Sequence, residues 1–369
     1  MKTIRRLIYA EIVRAVGFIA VAFLLLFFFF DLVDELGNLG QGAARGYSLS
    51  YVLLHVALQV PSHLYELLPI AVLIGAIYVM ARLAESSEYT ILRTSGLGPR
   101  RALNTLLVLG LGFVALTFVV GDYIAPAANR AAQSIQMRFV SDISVGRTGA
   151  WIKDRQGASS YSVNVGSMSA NGVMNQIRIF EFDDASGRPL AITKAAHGRF
   201  DASNTWALES VRRTSYNSAD AAEPTVQTEN LPEWRWPNSI SRDMVAAALL
   251  SPERMQTIDL FQYVQHLQSN GQSAQRHQIE FWRKVFYPLS CLVMMILALP
   301  FAYLHFRSSN IAGYVFLGVL VGISFFLLNN VFGFIGNLRN WEPWMAAAAP
   351  GLIYTGLSLG AFWWLVLRQ

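Results

Sequence analysis

Residues with catalytic or metal-binding potential are few in this chain and widely separated. The six histidines, at positions 55, 63, 197, 266, 277 and 305, do not have the spacing of metal ligands. The sequence contains no G-x-x-x-x-G-K-[ST] phosphate loop, and no nucleophile elbow accompanies its Ser, His and Asp residues. Cys291 is the single cysteine, which excludes an intramolecular disulfide. We therefore predict no catalytic residue, no metal site and no cofactor.

The segment Glu85–Gly96 carries the signals of a short helix. Ser86 or Ser87 could cap its N-terminus through a side-chain oxygen. Glu88 would then lie in the positively charged first turn and Arg93 near the negative end, with the final glycine in the left-handed conformation that often ends a helix. The pattern predicts about two turns of helix. Its physics leaves two roles open, a helix lying flat at a membrane surface with Tyr89 and Leu92 among the headgroups, or a helix that docks into a partner.

Polar residues close to apolar stretches are the other candidates, because burying charge in hydrocarbon is costly. Glu66 lies between Pro61 and Pro69, near one end of such a stretch. Asn329 and Asn330 could hydrogen-bond across helices or line a cavity. Four acidic residues are expected to end helices in water: Asp31, Asp34 and Glu35 at the first apolar stretch and Asp122 at the third.

Six long apolar stretches must position these residues. Hydrophobic residues make up 53% of the 369-residue chain and charged residues 14%, which argues against a soluble protein. A membrane-spanning helix needs roughly 20 mostly apolar residues. Six windows approach that length: 13–32, 64–84, 103–120, 285–306, 311–335 and 344–367. We predict a membrane α-helical protein with six transmembrane helices, in which residues 1–128 and 278–369 flank an inserted domain at 129–277.

The basic residues of the short loops predict the orientation, because Lys and Arg concentrate in cytoplasmic loops. Most of them fall on one side of the membrane (Lys2, Arg5, Arg6, Arg82, Arg93, Arg100, Arg101, Arg307 and Arg368), whereas Arg45 and Arg339 fall on the other. Both termini are therefore predicted to be cytoplasmic and the insert periplasmic. The first stretch ends in acidic residues without a small-residue cleavage site, so we expect it to be retained. The net charge of +5 follows from these loops and needs no nucleic-acid partner.

The insert has the pattern of an antiparallel β domain. Ile177–Phe182 alternates apolar and polar residues and runs into the turn-forming residues Asp183–Pro189. Tyr161–Val165 alternates in the same way, as do His197–Phe200 and Trp206–Val211 on either side of a turn. Short strands at this spacing predict an antiparallel sandwich or roll.

A helix is predicted to follow the strands and to lead back toward the membrane. Apolar residues recur at Ile258, Phe261, Val264 and Leu267, which is the spacing of one helix face. Gly271 stands where a helix stop is expected.

Several short sequences resemble the lipopolysaccharide export permease family, also called LptF/LptG, along essentially the whole chain. The resemblance lies in their order and spacing, since each is weak alone. The Thr94-Ser95-Gly96 sequence looks more like the G-type subunit than the F-type. The matching sequences are Leu83-Ala84 with Ser87-Glu88 and Ser95-Gly96, Gly121-Asp122-Tyr123 with Ala125-Pro126, Gly149 to Asp154, Ser269 to Gln272, and Trp282 to Leu289.

The resemblance implies the passive half of an ATP-driven exporter. Family members pair as an F-type and a G-type subunit on a cytosolic ATPase dimer, which is LptB-like. They extract lipopolysaccharide from the inner membrane and pass it through periplasmic β-jellyroll domains. A periplasmic bridge protein and a single-span LptC-like subunit are further expected partners. The resemblance favours the docked role for the short helix: the expected ATPase contacts are Glu88, Tyr89, Leu92, Arg93, Ser95 and Gly96, with Glu88 facing a cation.

The same resemblance implies a wide apolar cavity between the two subunits, open beside the first and fifth helices. Aromatic side chains could line it, although core packing explains each equally well. The expected lipid contacts are Phe27, Phe30, Asp31, Glu66, Arg130, Arg138, Phe326 and Asn329. The sequence departs from the family here, because Asp31 stands where some G-type members carry a lysine. Gln133 and Gln136 match arginines of other members, although Arg130 and Arg138 lie nearby as candidate phosphate contacts. Asp31, Asp34 and Glu35 would repel phosphate unless a divalent cation bridges them or Arg45, Arg130 and Arg138 lie closer.

Two other classes remain open at this point. A lipoprotein-release permease also has a periplasmic domain among its spans, but it usually has four spans. A membrane-anchored periplasmic scaffold or sensor would have no ATPase partner.

Overall fold

The computed structural model divides into two compact units. The first comprises residues 1–35, 56–129 and 278–369, and the second residues 36–55 and 130–277. Of the basic loop residues, Arg45, Arg307 and Arg368 lie outside the described part of the chain. The structure describes residues 2–42, 46–95, 98–139, 149–169, 172–201, 205–217, 225–241, 244–245, 248, 252–303 and 311–364.

Six helical stretches are long and apolar enough to cross a membrane, which confirms the predicted number. They are Ile4–Leu39, Leu49–Glu85, Pro99–Gln136, Gln275–Tyr303, Ile311–Leu338 and Pro343–Phe362. Six spans do not fit the four usual in lipoprotein-release permeases. The helices that form these stretches are α1 Lys2–Gly42, α2 Leu49–Glu85, α4 Pro99–Val119, α5 Ala125–Phe139, α7 Gln275–Phe286, α8 Ser290–Ala298, α9 Ile311–Leu338 and α10 Pro343–Phe362. Two further helices lie between them in sequence, α3 Glu88–Thr94 and α6 Thr257–Ser269.

The core of the first unit forms around α2, because small residues let its neighbours approach closely. A Cβ added to Gly322 of α9 would stand 2.8 Å from Ile70, and one added to Gly75 would stand 2.7 Å from a methyl group of Val16 on α1. Cys291 is fully buried and its sulfur lies 3.2 Å from the Thr117 hydroxyl. The cysteine is therefore a packed core residue.

Two helix ends predicted from acidic residues are wrong. α1 continues past Asp31 to Gly42, and Glu35 on it is buried, with only 7% of its surface exposed. The third span continues past Asp122 through a π turn, Val120–Ile124, into α5. The wide turn accommodates an extra residue without ending the helix. A carboxylate at such a position can form a polar contact or remain exposed while the backbone continues as a helix.

The second unit contains an antiparallel sheet, as predicted. Its six strands hydrogen-bond in sequential order. They are β1 Ala150–Gln156, β2 Ser159–Met168, β3 Met174–Asp183, β4 Pro189–Phe200, β5 Trp206–Asn217 and β6 Thr225–Trp236.

A transverse row of interrupted pairing crosses the sheet from β2 to β6. The register skips one residue on each strand, at Gly166, Gln176, Ala196, Ser210 and Pro232. Two of these residues have positive φ, 54° at position 176 and 53° at position 210. The alternation of buried residues also shifts by one position across this row. Residues 174 and 177 are both buried on β3, and residues 208 and 211 are both buried on β5, although each pair is three residues apart. We call this row the crease, because the sheet bends along it.

The bend brings distant strands together. Strands spaced by about 4.8 Å would put β2 and β6 roughly 19 Å apart in a flat sheet, yet the rings of Tyr161 and Trp236 are 5.4 Å apart. The buried carboxylate of Asp154 on β1 accepts a hydrogen bond of 2.5 Å from the hydroxyl of Ser239, three residues after β6. The sheet thus folds over itself around an apolar core, as a sandwich or roll requires.

The helix that follows the strands, α6, is present where predicted, and Gly271 after it has φ +64°. Its predicted face is partly wrong, because Ile258 and Phe261 are exposed. The buried residues of α6 are Leu260, Tyr263, Val264, His266 and Leu267. Leu260, Tyr263, Val264 and Leu267 have helical spacing as well, and only the packing in the folded unit selects between the two faces.

Candidate functional site

The short helix α3 is anchored by its inner face. Tyr89 is 3% exposed and its ring packs edge-on against Tyr303, with 5.1 Å between centroids. Leu92 packs against the same apolar core, and the Arg93 guanidinium lies 5.6 Å from the centre of the Tyr303 ring. Burial raises the pKa of the Tyr89 phenol well above its usual value, so this side chain is neutral at physiological pH. α3 is therefore fixed to the end of the fourth span.

The start of α3 differs from the serine cap predicted for it. Ser87 has φ 58° in the left-handed region, and its side chain makes no capping hydrogen bond. The Ser86 hydroxyl bonds back to the Leu83 carbonyl of α2. The two serines thus turn the chain between two helices, a geometry that a capping pattern alone does not reveal.

The outer face of α3 presents a different set of side chains. Glu88, Arg93 and Ser95 are exposed, as predicted contacts of a partner must be. Ile91 is 62% exposed between them, and sequence reasoning missed it although it lies one turn from Ser95. Gly96 lies outside the described residues. α3 therefore offers an apolar centre flanked by charge.

A polar contact joins α1 and α2 near Asp31. The Asp31 carboxylate and the His63 imidazole are 2.6 Å apart, with about a fifth of each side chain exposed. The Phe27 ring stacks on the same imidazole, with 4.9 Å between centroids and 30° between planes. Phe30 is 55% exposed. We call Phe27, Asp31 and His63 the Asp31 clamp. His63 was missed as a site residue, since nothing in the sequence shows that it faces Asp31.

A carboxylate–guanidinium pair joins the same helices nearer the start of α1. Glu11 of α1 pairs with Arg82 of α2. Asp31 is twenty residues after Glu11, which is about 30 Å along a helix at 1.5 Å per residue. That length matches the hydrocarbon core of a bilayer, about 30 Å. The two pairs therefore bracket one bilayer thickness.

Glu66 is placed by its backbone. Its carbonyl oxygen accepts a hydrogen bond of 2.5 Å from the Tyr287 hydroxyl, and its side chain is exposed. Tyr65 beside it packs on the Tyr287 ring, with 5.0 Å between centroids. This contact joins α2 to the turn between α7 and α8.

The asparagines of α9 have different environments. Asn329 is buried, with 5% of its surface exposed, whereas Asn330 accepts a hydrogen bond of 3.2 Å from Arg283 on α7. Arg283 also pairs with Glu280 at 3.2 Å. Phe326, one turn before, is 37% exposed. Sequence reasoning missed the Arg283–Glu280 pair, because both residues precede the fourth apolar stretch, which begins at residue 285 in the sequence.

The expected phosphate contacts lie in the second unit. Arg130 on α5 is half exposed and lies 3.8 Å from the Asp259 carboxylate of α6. The side chain of Arg138 lies outside the described residues. Within the part of the chain that the structure describes, no group of three His, Cys, Asp or Glu side chains could hold a metal ion. The expected lipid contacts described here come from different helices: Asp31 from α1, Glu66 from α2, Asn329 from α9 and Arg130 from α5.

Known proteins resemble this chain over nearly its whole length. The family described as lipopolysaccharide export system permease LptF/LptG matches residues 6–368. The lipopolysaccharide export system permease protein LptG of Escherichia coli strain K12 is 27% identical over 341 residues, 91% of this chain and 90% of that protein. The protein of the same name from Haemophilus influenzae is 25% identical over 372 residues, 100% of this chain and 97% of that protein. This chain therefore belongs to the LptF/LptG family of lipopolysaccharide export permeases.

Proposed function

We propose that this chain is the G-type permease subunit of a lipopolysaccharide exporter and that a separate ATPase drives it through α3. The observation that carries the proposal is the two-sided structure of α3, with Tyr89 buried and Ile91 exposed. A helix that merely lay on a membrane surface would turn its large apolar side chains toward lipid. Here the tyrosine faces the chain's own core, which leaves the isoleucine and its charged neighbours for a protein groove.

The way in which α3 is attached supports mechanical coupling. Tyr89 and Arg93 both contact Tyr303 at the end of the fourth span. A partner that moved α3 would therefore move the fourth span with it, since packed interiors are stiff. The chain lacks a phosphate loop, so nucleotide hydrolysis belongs to the partner, an LptB-like dimer.

The exposed spans support pairing with a second permease. In the most apolar stretch of the first span only 11% of the residues are buried, and in that of the fifth only 17%, against 78% in the second. Apolar faces of this extent suit a lipid environment and a paralogous LptF-like subunit. The lipid would lie in the space that the two subunits enclose.

The orientation and the route follow from the same proposal. The protein is a multi-pass protein of the bacterial inner membrane, and its basic loops favour cytoplasmic termini with the β domain in the periplasm. β1 and β6 are the outer strands of the sheet in hydrogen-bonding order. Outer strands are the natural place for strand addition by the next β domain, such as that of an LptC-like subunit or the bridge protein.

Substitution of the exposed apolar residue of α3 tests the proposal directly. Ile91→Glu should abolish co-purification with the ATPase from co-expressing cells while leaving membrane insertion intact. Ile258→Glu is the matched control, because Ile258 is also an exposed isoleucine near the start of a helix, 56% exposed on α6. Equal ATPase recovery with both variants would contradict docking at α3. Absence of any ATPase with the unmodified chain would favour the membrane-anchored scaffold instead.

A further inference from the structure

The two halves of α1 within the first unit are attached differently. In the first half the buried residues recur every fourth position, at Ile8, Ile12, Val16 and Ala20. Val16 packs so closely on α2 that Gly75 has no room for a Cβ. From position 21 to 34, by contrast, no residue of α1 is buried. The half of α1 that precedes residue 21 is thus a packed helix, and the half that follows stands away from the core.

The Asp31 clamp lies in this second half. His63 meets α1 in two ways, through a 2.6 Å contact with the Asp31 carboxylate and by stacking on Phe27. α2 is also loosely packed at this level, since none of its residues from 57 to 67 is buried. One imidazole therefore fastens two lightly packed helix segments to each other.

The Glu11–Arg82 pair provides an internal comparison. It joins the same two helices, but it lies beside the packed positions Ile8 and Ile12. Loss of this pair would leave the apolar packing around it in place. Loss of the Asp31 clamp would leave the second half of α1 with far less to hold it.

We propose that the Asp31 clamp is a releasable fastening of α1, and that it must open for lipopolysaccharide to pass between α1 and the rest of the transporter. The inference rests on the proposed function, because it takes the segment around Asp31 to lie at the outer leaflet. His63 acts as a positioning residue, since it holds α1 in place. About a fifth of each side chain is exposed, so solvent and other polar groups can reach the contact. An anionic headgroup can therefore compete with Asp31 for the imidazole.

Reversible cross-linking tests the fastening in the full complex, reconstituted in vesicles with lipopolysaccharide. After Cys291→Ala removes the native thiol, Asp31→Cys with His63→Cys allows the clamp to be locked by oxidation or a short thiol cross-linker. The matched control locks Glu11→Cys to Arg82→Cys. ATP-dependent lipid release should fall roughly tenfold or more in the locked clamp, recover with reductant, and persist in the locked control, as for a gating element. Undiminished release from the locked clamp would overturn the proposal.

Release of lipopolysaccharide by the unlocked complex distinguishes a failure of the proposed function from a failure of the clamp alone. If the unlocked complex releases no lipopolysaccharide, the proposed function fails. If it does and locking has no effect, only the clamp fails.

A distance measurement distinguishes a clamp from a general structural role. Spin labels at Phe30 and Leu67 should show a broader distance distribution in His63→Ala than in the unmodified chain, and no change in Arg82→Ala. The exchange Asp31→His with His63→Asp should restore the narrow distribution, because it rebuilds the pair. An unchanged distribution in His63→Ala, or equal broadening in both single variants, would contradict the proposal.

Discussion

Glu88 and Ile91 are exposed on α3, whereas Tyr89, between them in sequence, is buried. Burying a tyrosine removes on the order of 150–250 Å² from solvent and dominates the packing of so short a helix. Seven isolated residues would not stay helical in water. The helix therefore depends on Tyr303 and the surrounding core, which leave Glu88 and Ile91 exposed.

The charge of Glu88 should matter for coupling. Glu88→Lys is expected to uncouple transport because it places a cation where the partner is expected to present one, and membrane insertion should be unaffected. Glu88→Gln, which removes the charge without reversing it, should give a smaller loss. Growth complementation and ATPase co-purification measure both variants. Full complementation by Glu88→Lys with normal ATPase assembly would rule out this role.

Residues of this site differ in how far the sequence reveals them. α3, its length and its charged residues are predictable, because helix ends and charges are local features. The burial of Tyr89 and the pairing of Asp31 with His63 are not, because both depend on residues far away in sequence, at position 303 and on another helix. Asp31 illustrates the difference, since its position predicts a solvated helix end and the structure gives it a partner.

The crease is the feature of the β domain that alternation cannot predict. Alternating residues predict each strand separately, whereas the crease arises where interruptions on five neighbouring strands align. Pro232 lies on it in an outer strand, where a missing backbone N–H is tolerated. The bend that results encloses the core of the unit and brings Tyr161 against Trp236.

Backbone strain at the crease gives a stability prediction. Ser210 has φ 53°, a conformation that costs a non-glycine residue about 1–2 kcal/mol. Ser210→Gly should therefore leave stability unchanged or raise it by up to about 1 kcal/mol, because the relief of strain is partly offset by glycine's greater unfolded entropy. Ser210→Val should destabilise the domain, since a β-branched residue fits this region poorly. Thermal unfolding of the full chain in detergent measures both. A stabilising effect of Ser210→Val would contradict backbone strain at this position.

The buried imidazole of α6 gives a pH prediction. Burial lowers the pKa of His266 below its usual 6.5, with Asp154 acting in the opposite direction. The folded state then binds fewer protons than the unfolded state below about pH 6.5, so stability falls as the pH drops, by at most about 1.4 kcal/mol per unit. Hydrogen exchange in α6 should accelerate in that range. His266→Gln should weaken the dependence and His197→Gln, on an exposed strand position, should not. Equal pH profiles in all three proteins would contradict it.

At the scale of the whole molecule, one chain combines six helical stretches able to cross a membrane with an inserted β domain. This level was the most predictable from sequence, because span number depends on composition over about 20 residues and not on individual contacts. The ends of the spans were less predictable, since α1 and the third span pass through the acidic residues expected to stop them.

ATP-dependent release of lipopolysaccharide from vesicles tests the central claim most directly. The vesicles contain this chain co-expressed with a candidate F-type permease and a candidate ATPase, and a soluble lipid-binding protein added outside collects the lipid. We expect release that requires ATP and is lost with Ile91→Glu but retained with Ile258→Glu. Assembly of the complex without any ATP-dependent release of lipopolysaccharide would contradict the account.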